Sequence, residues 1–333
     1  MLSSLARPDV VSRLTAAQKE HHHHPNNPLN NYHGGNKNMQ EVIEILGKRT
    51  GPSSVIFAGV HGNEVCGVEL FNKILPQIEI DAGRVVFVYA NPRAIEANVR
   101  FTEANLNRMF KPDNMLSDKE RGSYEYARAQ FLKPYLHQAD ALLDIHASTV
   151  KDSRPFVICE PISHSIVQYL PFDTVISGFD TLEPGGTDYY MNSLGKPGIC
   201  IECGYFRDPK STQAAELGAI AFLKALGHLP NDLEPQAQTH MKMYQAYLTK
   251  TDKFTLCREF ANFEVLPANT EIGTDGNELL STERESFILF AHDRDIIGAE
   301  AFLLGETTSR SVRPEPISRR SIRAAVGTCT PKN

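Results

Sequence analysis

Continuous apolar runs alternate with amphipathic stretches from about Gln40 onward. Five runs have the length and composition of strands that are covered on both faces of a sheet. They are VIFAGV (55–60), VVFVYA (85–90), ALLDIH (141–146), PFVICE (155–160) and GICIEC (198–203). The spacing of apolar residues predicts helices over 64–75, 118–139 and 211–227. Strands that alternate with helices predict an α/β fold with a mixed sheet flanked by helices.

The pattern changes after Pro230, where short β-rich runs are separated by Gly, Asn and Asp turns. We therefore predict an α/β domain over 41–230 and a small all-β C-terminal domain over 231–308. Residues 1–40 are polar and low in complexity, and 309–333 are rich in arginine, so both segments are predicted to be disordered. Four consecutive histidines, His21 to His24, lack a carboxylate or cysteine at a fixed spacing, which favours a flexible tail over a metal site.

Composition narrows the classes of function. The 333 residues carry 34 basic and 40 acidic side chains, a net charge of −6, which does not favour a nucleic-acid partner. No run approaches the roughly 18–20 apolar residues of a membrane span, and the N-terminus lacks the apolar core of a secretory signal. Six scattered cysteines favour a reducing, cytoplasmic setting over a disulfide scaffold.

A candidate metal-binding pair lies in GVHGNE, just after the first buried strand. His61 and Glu64 are three residues apart in a glycine-flanked turn that enters a helix. Ligands of open α/β sheets gather at the carboxyl ends of strands. An imidazole and a carboxylate at this spacing can chelate one Zn²⁺, and a third ligand would leave a position for water. Such a pair on its own is more often two surface charges.

Two further polar residues lie at the end of, or within, buried strands. His146 ends ALLDIH at the edge where GVHGNE is expected, which favours a metal ligand over a satisfied core histidine. Glu202 lies inside GICIEC, where a carboxylate is costly unless it is paired or functional. Cys200 and Cys203 flank it as C-x-x-C. Strand positions three apart face opposite sides, so a redox or zinc pair is disfavoured there.

The segment from Asn91 to Phe110 adds Arg100, Asn107 and Arg108. Arginines near a metal site can polarise a carbonyl oxygen and bind a substrate carboxylate through two hydrogen bonds. Any one of these residues alone would be interpreted as an ordinary surface group.

Together these motifs resemble the succinylglutamate desuccinylase/aspartoacylase family, distant relatives of the zinc carboxypeptidases. The resemblance extends from about Ser53 to Gly227, and more loosely through the β-rich C-terminal part. The matching segments follow the family's order: GVHGNE, NP-x8-F-x5-NR (91–108), DIH, EPGGT (183–187) and IECG (201–204).

The resemblance implies a zinc-carboxypeptidase-like fold in which the 41–230 part is the catalytic domain. It implies a zinc-dependent hydrolase that removes the acyl group from an N-acylated amino acid or a similar small amide. One Zn²⁺ per chain would be held by the residues that match the family's ligands, His61, Glu64 and His146.

The remaining matches imply roles in the reaction. Glu202 matches the carboxylate that takes a proton from water and passes it to the leaving amine. Arg100 matches the arginine that stabilises the oxyanion. Asn107 and Arg108 match the pair that holds a substrate carboxylate.

Two positions depart from the family pattern. Asn105 stands where the family has an aspartate that supports a ligand histidine; its amide can still accept a hydrogen bond from His61, and Glu103 is a candidate substitute. Asn192 stands where characterised members have an arginine for the amino-acid part of the substrate. Lys196 could replace that arginine, although a solvated loop lysine is the favoured interpretation.

Rival functions remain open at this stage. A metallocarboxypeptidase or peptidoglycan-type amidase could use the same scaffold, but the small β domain favours a deacylase because in that family it narrows the entrance. A catalytically impaired metal-binding homologue is the third hypothesis. The expected partner is a small N-acyl amino acid or related amide, with no nucleic acid and no membrane. A homo-oligomer is compatible with the sequence. The sequence does not identify the acyl group, the amine or the oligomeric state.

Overall fold

A mixed sheet of 11 strands is the centre of this computed structural model, which describes residues 40–151 and 153–310. The strands of the described part are β1 (Val42–Leu46), β2 (Arg49–Ala58), β3 (Ala82–Tyr89), β4 (Ala141–Ser148), β5 (Phe156–Cys159), β6 (Thr174–Ser177), β7 (Gly198–Tyr205), β8 (Thr239–Leu248), β9 (Phe254–Leu256), β10 (Glu264–Leu266), β11 (Glu271–Asp275), β12 (Glu278–Ser281), β13 (Ser286–Leu289) and β14 (Glu300–Arg310).

The helices precede or follow these strands as the alternating pattern predicts. They are α1 (Cys66–Ile74), α2 (Pro92–Ala97), α3 (Asp118–Arg121), α4 (Tyr124–Gln138), α5 (His164–Val167), α6 (Phe179–Leu182), α7 (Thr187–Ser193) and α8 (Lys210–Ala225). Short 3-10 turns are found at Leu106–Arg108, Asp113–Met115 and Pro161–Ser163.

The strand order is β1-β3-β2-β4-β7-β5-β6-β8-β14-β13-β10, and β12-β11-β9 form a separate three-stranded sheet. β3, β2, β4 and β7 are parallel neighbours, whereas β5 pairs with β7 in the antiparallel direction. The predicted mixed sheet with flanking helices, and the antiparallel β region at the C-terminal end, are therefore confirmed.

Alternation along β2 explains why its sequence is apolar throughout. Ile56 and Ala58 pack on one face with α1 and α8, whereas Val55 and Phe57 pack on the other face with α4. Because neighbouring strand residues face opposite sides, a strand between two helical layers buries both sets.

The same alternation separates the two cysteines around Glu202. Cys200 packs in the apolar cluster that contains Phe156, and Cys203 packs in the cluster that contains α1 and α8. All five cysteines of the described part are free thiols. The C-x-x-C motif is therefore not a metal or disulfide pair in this structure.

The helix predicted over 118–139 is interrupted. α3 ends at Arg121, and α4 begins at Tyr124 after Ser123, whose side chain accepts a hydrogen bond from the Tyr126 N–H. Such a cap satisfies a backbone donor that would otherwise lack a partner at the start of a helix. α3 buries no residue, so the break falls in a polar stretch where apolar spacing carries no signal.

The C-terminal strands extend the main sheet. β8 pairs in parallel with β6, so that β8, β14, β13 and β10 continue the row of strands that begins at β1. This part has its own aromatic core, in which Tyr247 stacks on Phe302 with ring centroids 5.1 Å apart. β14 extends to Arg310, past the predicted boundary at 308.

Some predictions concern residues outside the described ranges. They are the disordered extension up to residue 39, with His21 to His24, and the tail from residue 311 onward. In the described residues, no helix combines the length and the apolar character that a membrane crossing requires.

Candidate metal centre

Three side chains that can bind a metal converge at the carboxyl ends of two parallel strands. β2 and β4 are hydrogen-bonded neighbours, so their ends meet at one edge of the sheet. His61 and Glu64 lie in the turn between β2 and α1, and His146 lies near the end of β4. All three residues are nearly inaccessible, at 3%, 3% and 2% exposure, and their ligand atoms lie within 4.8 Å of one another.

The spacing of the donor atoms fits a single small cation. His61 Nδ1 lies 2.8 Å from Glu64 Oε1, and His146 Nδ1 lies 3.0 Å from Glu64 Oε2. The two Nδ1 atoms are 3.2 Å apart. Donors on a tetrahedral Zn²⁺, at about 2.0–2.1 Å from the ion, are separated by roughly 3.3 Å. Two imidazoles and one carboxylate also leave a fourth coordination position open.

Gly62 determines the path of the turn that presents His61. Its N–H donates to the Arg100 carbonyl oxygen at 3.3 Å, and the Glu64 N–H donates to the His61 carbonyl oxygen at 3.1 Å. A Cβ atom at position 62 would overlap the backbone of Ala94 in α2. Only glycine therefore lets α2 approach this turn so closely.

A carboxylate orients the imidazole of His146. His146 Nε2 lies 3.0 Å from Asp144 Oδ2, which also accepts a hydrogen bond from the Thr187 hydroxyl. Asp144 and His146 are two residues apart on β4, so their side chains share one face of the strand. This contact leaves His146 Nδ1 facing Glu64.

An amide orients the other imidazole. His61 Nε2 lies 3.1 Å from Asn105 Oδ1, so the amide oxygen is placed to accept a hydrogen bond from this histidine. Asn105 Oδ1 also accepts from the Asn107 N–H at 3.0 Å. Glu103, the candidate substitute, instead accepts from the Tyr124 N–H at 2.7 Å. The amide is thus the group that holds His61.

Burial lowers the pKa of both histidines, and the nearby carboxylates raise it. Burial lowers the pKa of His61 to about 4, although the Glu64 carboxylate opposes this. Burial also disfavours a charged His146, but Asp144 and Glu64 outweigh it and raise the pKa of His146 well above its ordinary value. Because a histidine must lose this proton to bind a metal, metal binding and proton release are linked here.

Glu202 lies beside the three donors on a third strand. It pairs with His146 in the register of β4 and β7. Glu202 is 9% exposed, and its Oε2 atom has no hydrogen-bond partner among the described residues. Burial raises the pKa of Glu202 and the Glu64 charge adds to the rise, while His146 and Arg100 oppose it. A carboxyl group whose pKa is raised toward neutral pH is suited to accept and return a proton.

The two predicted arginines lie near each other, since burial lowers the pKa of Arg108 and the charge of Arg100 lowers it further. Arg100 Nη1 donates to Glu64 Oε1 at 2.9 Å, and the Arg100 side chain is 43% exposed. Arg108 forms an ion pair with Glu183 and donates to the Asn107 carbonyl oxygen at 2.9 Å. Asn107 Oδ1 is buried without a hydrogen-bond partner among the described residues.

Neither residue considered in place of the missing arginine is free to bind a substrate carboxylate. Asn192 Nδ2 donates to Asp180 at 3.0 Å, and its Oδ1 accepts from the Gly198 N–H at 3.3 Å. Lys196 donates to the carbonyl oxygens of His137 and Ala139, at 2.6 and 2.7 Å. Lys196 therefore supplies hydrogen-bond donors to carbonyl groups at the C-terminal end of α4.

The sequence reasoning missed residues that follow β13. Burial raises the pKa of Glu300, and Arg108 and Arg100 are among the charges that oppose the rise, so Glu300 lies on the arginine side of the site. His292 Nε2 lies 3.5 Å from the hydroxyl oxygen of Thr149, just past β4. No local motif marks these positions, because only the packing of β14 brings them there.

Asn105 offers a direct test of how the histidine is supported. We expect Asn105→Ala to weaken affinity for a divalent metal by about 10–100-fold, because His61 loses its hydrogen-bond acceptor. Asn105→Asp should tighten binding, because a charged acceptor raises the basicity of the imidazole. Competition with a colorimetric chelator measures both affinities. Equal affinities in all three proteins would contradict this role.

Relatives of known name share parts of this chain. A probable aspartoacylase from Trichodesmium erythraeum is 28% identical over 160 residues, which are 45% of this chain and 54% of that protein. The chain thus spans about half the length of that relative. A succinylglutamate desuccinylase from a Shewanella species is 24% identical over 285 residues, which are 74% of this chain and 80% of that protein.

Solved structures share the fold. A succinylglutamate desuccinylase from Vibrio parahaemolyticus superposes with a TM-score of 0.67 at 20% identity, over 81% of this chain and 86% of that one. The model of the succinylglutamate desuccinylase/aspartoacylase catalytic domain matches residues 50–229, which contain all three donors and Glu202. The chain therefore belongs to the succinylglutamate desuccinylase/aspartoacylase family.

Proposed function

We propose that this chain is a zinc-dependent hydrolase that removes the acyl group from an N-acylated amino acid or a similar small amide. The observation that carries the proposal is the convergence of His61, Glu64 and His146 beside Glu202, a buried carboxylate with an unpaired oxygen. Two imidazoles and one carboxylate are a donor set of catalytic zinc sites. When bound, Zn²⁺ supplies Lewis acidity toward the amide carbonyl and acidifies water.

Glu202 moves the proton in the proposed reaction. Its raised pKa lets the carboxylate take a proton from the attacking water and then hold it as a neutral acid. Returning that proton to the amide nitrogen lets the C–N bond break and releases a free amine. The second product is the carboxylate of the acyl group.

Arg100 stabilises the negative charge that develops on the carbonyl oxygen. Its guanidinium group donates to Glu64 through Nη1 and is partly exposed, so its other N–H donors remain available to a substrate. Arg108 and Asn107 hold a carboxylate of the substrate in this proposal. The Nδ2 group of Asn107 is the part of this side chain that can donate to a carboxylate, because its Oδ1 atom only accepts hydrogen bonds.

The C-terminal part supports a small substrate. The segment after β13 approaches the arginine side of the site through Glu300 and reaches Thr149 through His292. We infer that this segment narrows the entrance to the site, which favours a deacylase over a carboxypeptidase. The free cysteines support a reducing, cytoplasmic setting.

Glu202→Gln separates metal binding from proton transfer. The amide keeps the shape of the side chain but cannot take a proton, so we expect normal zinc content and turnover reduced by about 100- to 10,000-fold. Glu79→Gln, which changes an exposed carboxylate paired with Lys48, is the matched control. Full turnover in Glu202→Gln would remove this residue from the proton-transfer role.

His61→Ala tests the ligand assignment. Loss of one of three protein ligands should leave purified protein with less than about a tenth of the zinc of the wild type. Elemental analysis measures the content, and His137→Ala, which changes an exposed histidine, is the control. Normal zinc in His61→Ala, with a normal unfolding transition, would overturn the proposed site.

A substrate panel tests the reaction class. Zinc-loaded protein should release free amine from at least one N-acyl amino acid, detected with an amine-reactive dye, and should leave C-terminal residues on peptides. Release of C-terminal residues with no deacylation would instead establish a carboxypeptidase. Stoichiometric zinc with no hydrolysis of either panel would favour the catalytically impaired homologue.

A further inference from the structure

One buried carboxylate connects α4 to the loop that follows α2. Glu125 is 0% exposed. Its Oε1 accepts from both the N–H and the hydroxyl of Thr102, each at 2.7 Å. Its Oε2 accepts from the N–H groups of Glu103 and Ala104, at 3.2 and 3.0 Å. Three consecutive backbone donors of the loop therefore end on one side chain.

The same carboxylate also reaches the start of α2. Asn91 Nδ2 donates to Glu125 Oε1 at 3.4 Å, and Asn91 Oδ1 accepts from the Ala94 N–H at 3.3 Å as the N-cap of α2. Glu125 thus joins three parts of the chain: the end of the β3 segment, the loop and α4.

Multiple donors keep Glu125 ionised despite its burial. Burial disfavours the charged form, but the hydrogen bonds from Thr102 and Ala104 outweigh it and lower the pKa of Glu125 below its ordinary value. An ionised carboxylate has about four lone-pair directions, which suits several convergent N–H groups. A glutamine offers one acceptor oxygen. Its NH₂ group would face N–H donors and cannot accept a hydrogen bond from them.

The pinned residues lie between two residues of the site. Arg100 precedes Thr102 and contacts Glu64, whereas Asn105 follows Ala104 and contacts His61. Fixing the backbone between them sets the direction of both side chains. A shift of the loop would move the oxyanion donor and the histidine acceptor together.

We propose that Glu125 is a positioning residue of this site: it holds the loop so that Arg100 reaches the reacting carbonyl and Asn105 orients His61. The effect on turnover rests on the proposed function, whereas the effect on the loop does not. Glu125 acts through Arg100 and Asn105, since its own carboxylate is fully buried and is hydrogen-bonded to donors of the loop.

The first experiment asks whether Glu125 acts through Arg100. We expect Glu125→Gln to lower kcat at saturating zinc by about 10–100-fold, the range found for residues that orient site groups. In an Arg100→Ala background the same change should cause a smaller further loss, because the part of the effect that passes through Arg100 has already been removed. An undiminished second loss in that background overturns the proposal.

A matched variant separates positioning from stability. Leu132→Val removes a methylene group from a fully buried side chain on the same helix, α4, and leaves every hydrogen-bond donor of Glu125 in place. It should lower the unfolding midpoint while leaving kcat and zinc affinity unchanged. If Leu132→Val reduces kcat as much as Glu125→Gln does, the role of Glu125 is structural only.

The second experiment does not depend on any activity. Trypsin cleaves after arginine, and Arg100 with Phe101 is an exposed site within the loop. We expect limited digestion, followed by mass spectrometry, to show cleavage after Arg100 several-fold faster in Glu125→Gln than in wild type or Leu132→Val. Equal rates in folded protein overturn the proposal, whether or not a deacylase activity is found.

Discussion

Burying several charged groups together at one edge of a sheet is the constraint on which this structure depends. Glu64 and Glu202 are 3% and 9% exposed, and a buried carboxylate costs several kcal/mol unless positive charge or hydrogen bonds compensate it. Arg100 and the imidazoles supply part of that compensation, and the donor spacing is suited to a cation between them. The parallel pairing of β2 with β4 and the turn at Gly62 bring these groups to one point.

The structure separates a fixed part of the site from a variable part. The donors have polar partners behind them: Asp144 for His146 and Asn105 for His61. Asn192 and Lys196 lie near the amino ends of β4 and β7, where they are engaged with the protein's own backbone and with Asp180. A chain can thus keep the geometry of its metal donors while the groups that recognise the rest of the substrate change.

The sequence was most informative where local pattern and three-dimensional position coincide. Buried parallel strands appear as apolar runs, and polar residues at their carboxyl ends must meet at one edge, so His61 and His146 could be placed together. Glu125 could not be recognised, because a glutamate in the first turn of a helix is common and its partners lie on a separate loop. Glu300 likewise has no signal in its own segment.

Continuation of the sheet across β6 and β8 has a mechanical consequence. The segment after β13 belongs to strands that are hydrogen-bonded, one to the next, to the strand that carries His146. Backbone hydrogen bonds therefore connect this segment to the central strands through every intervening strand, and the connection does not depend on a single linker. Entry of substrate and release of product then depend on side-chain rotation and on movement of turns such as the one that contains His292. Changes confined to that turn can reshape the opening and leave the central strands undisturbed.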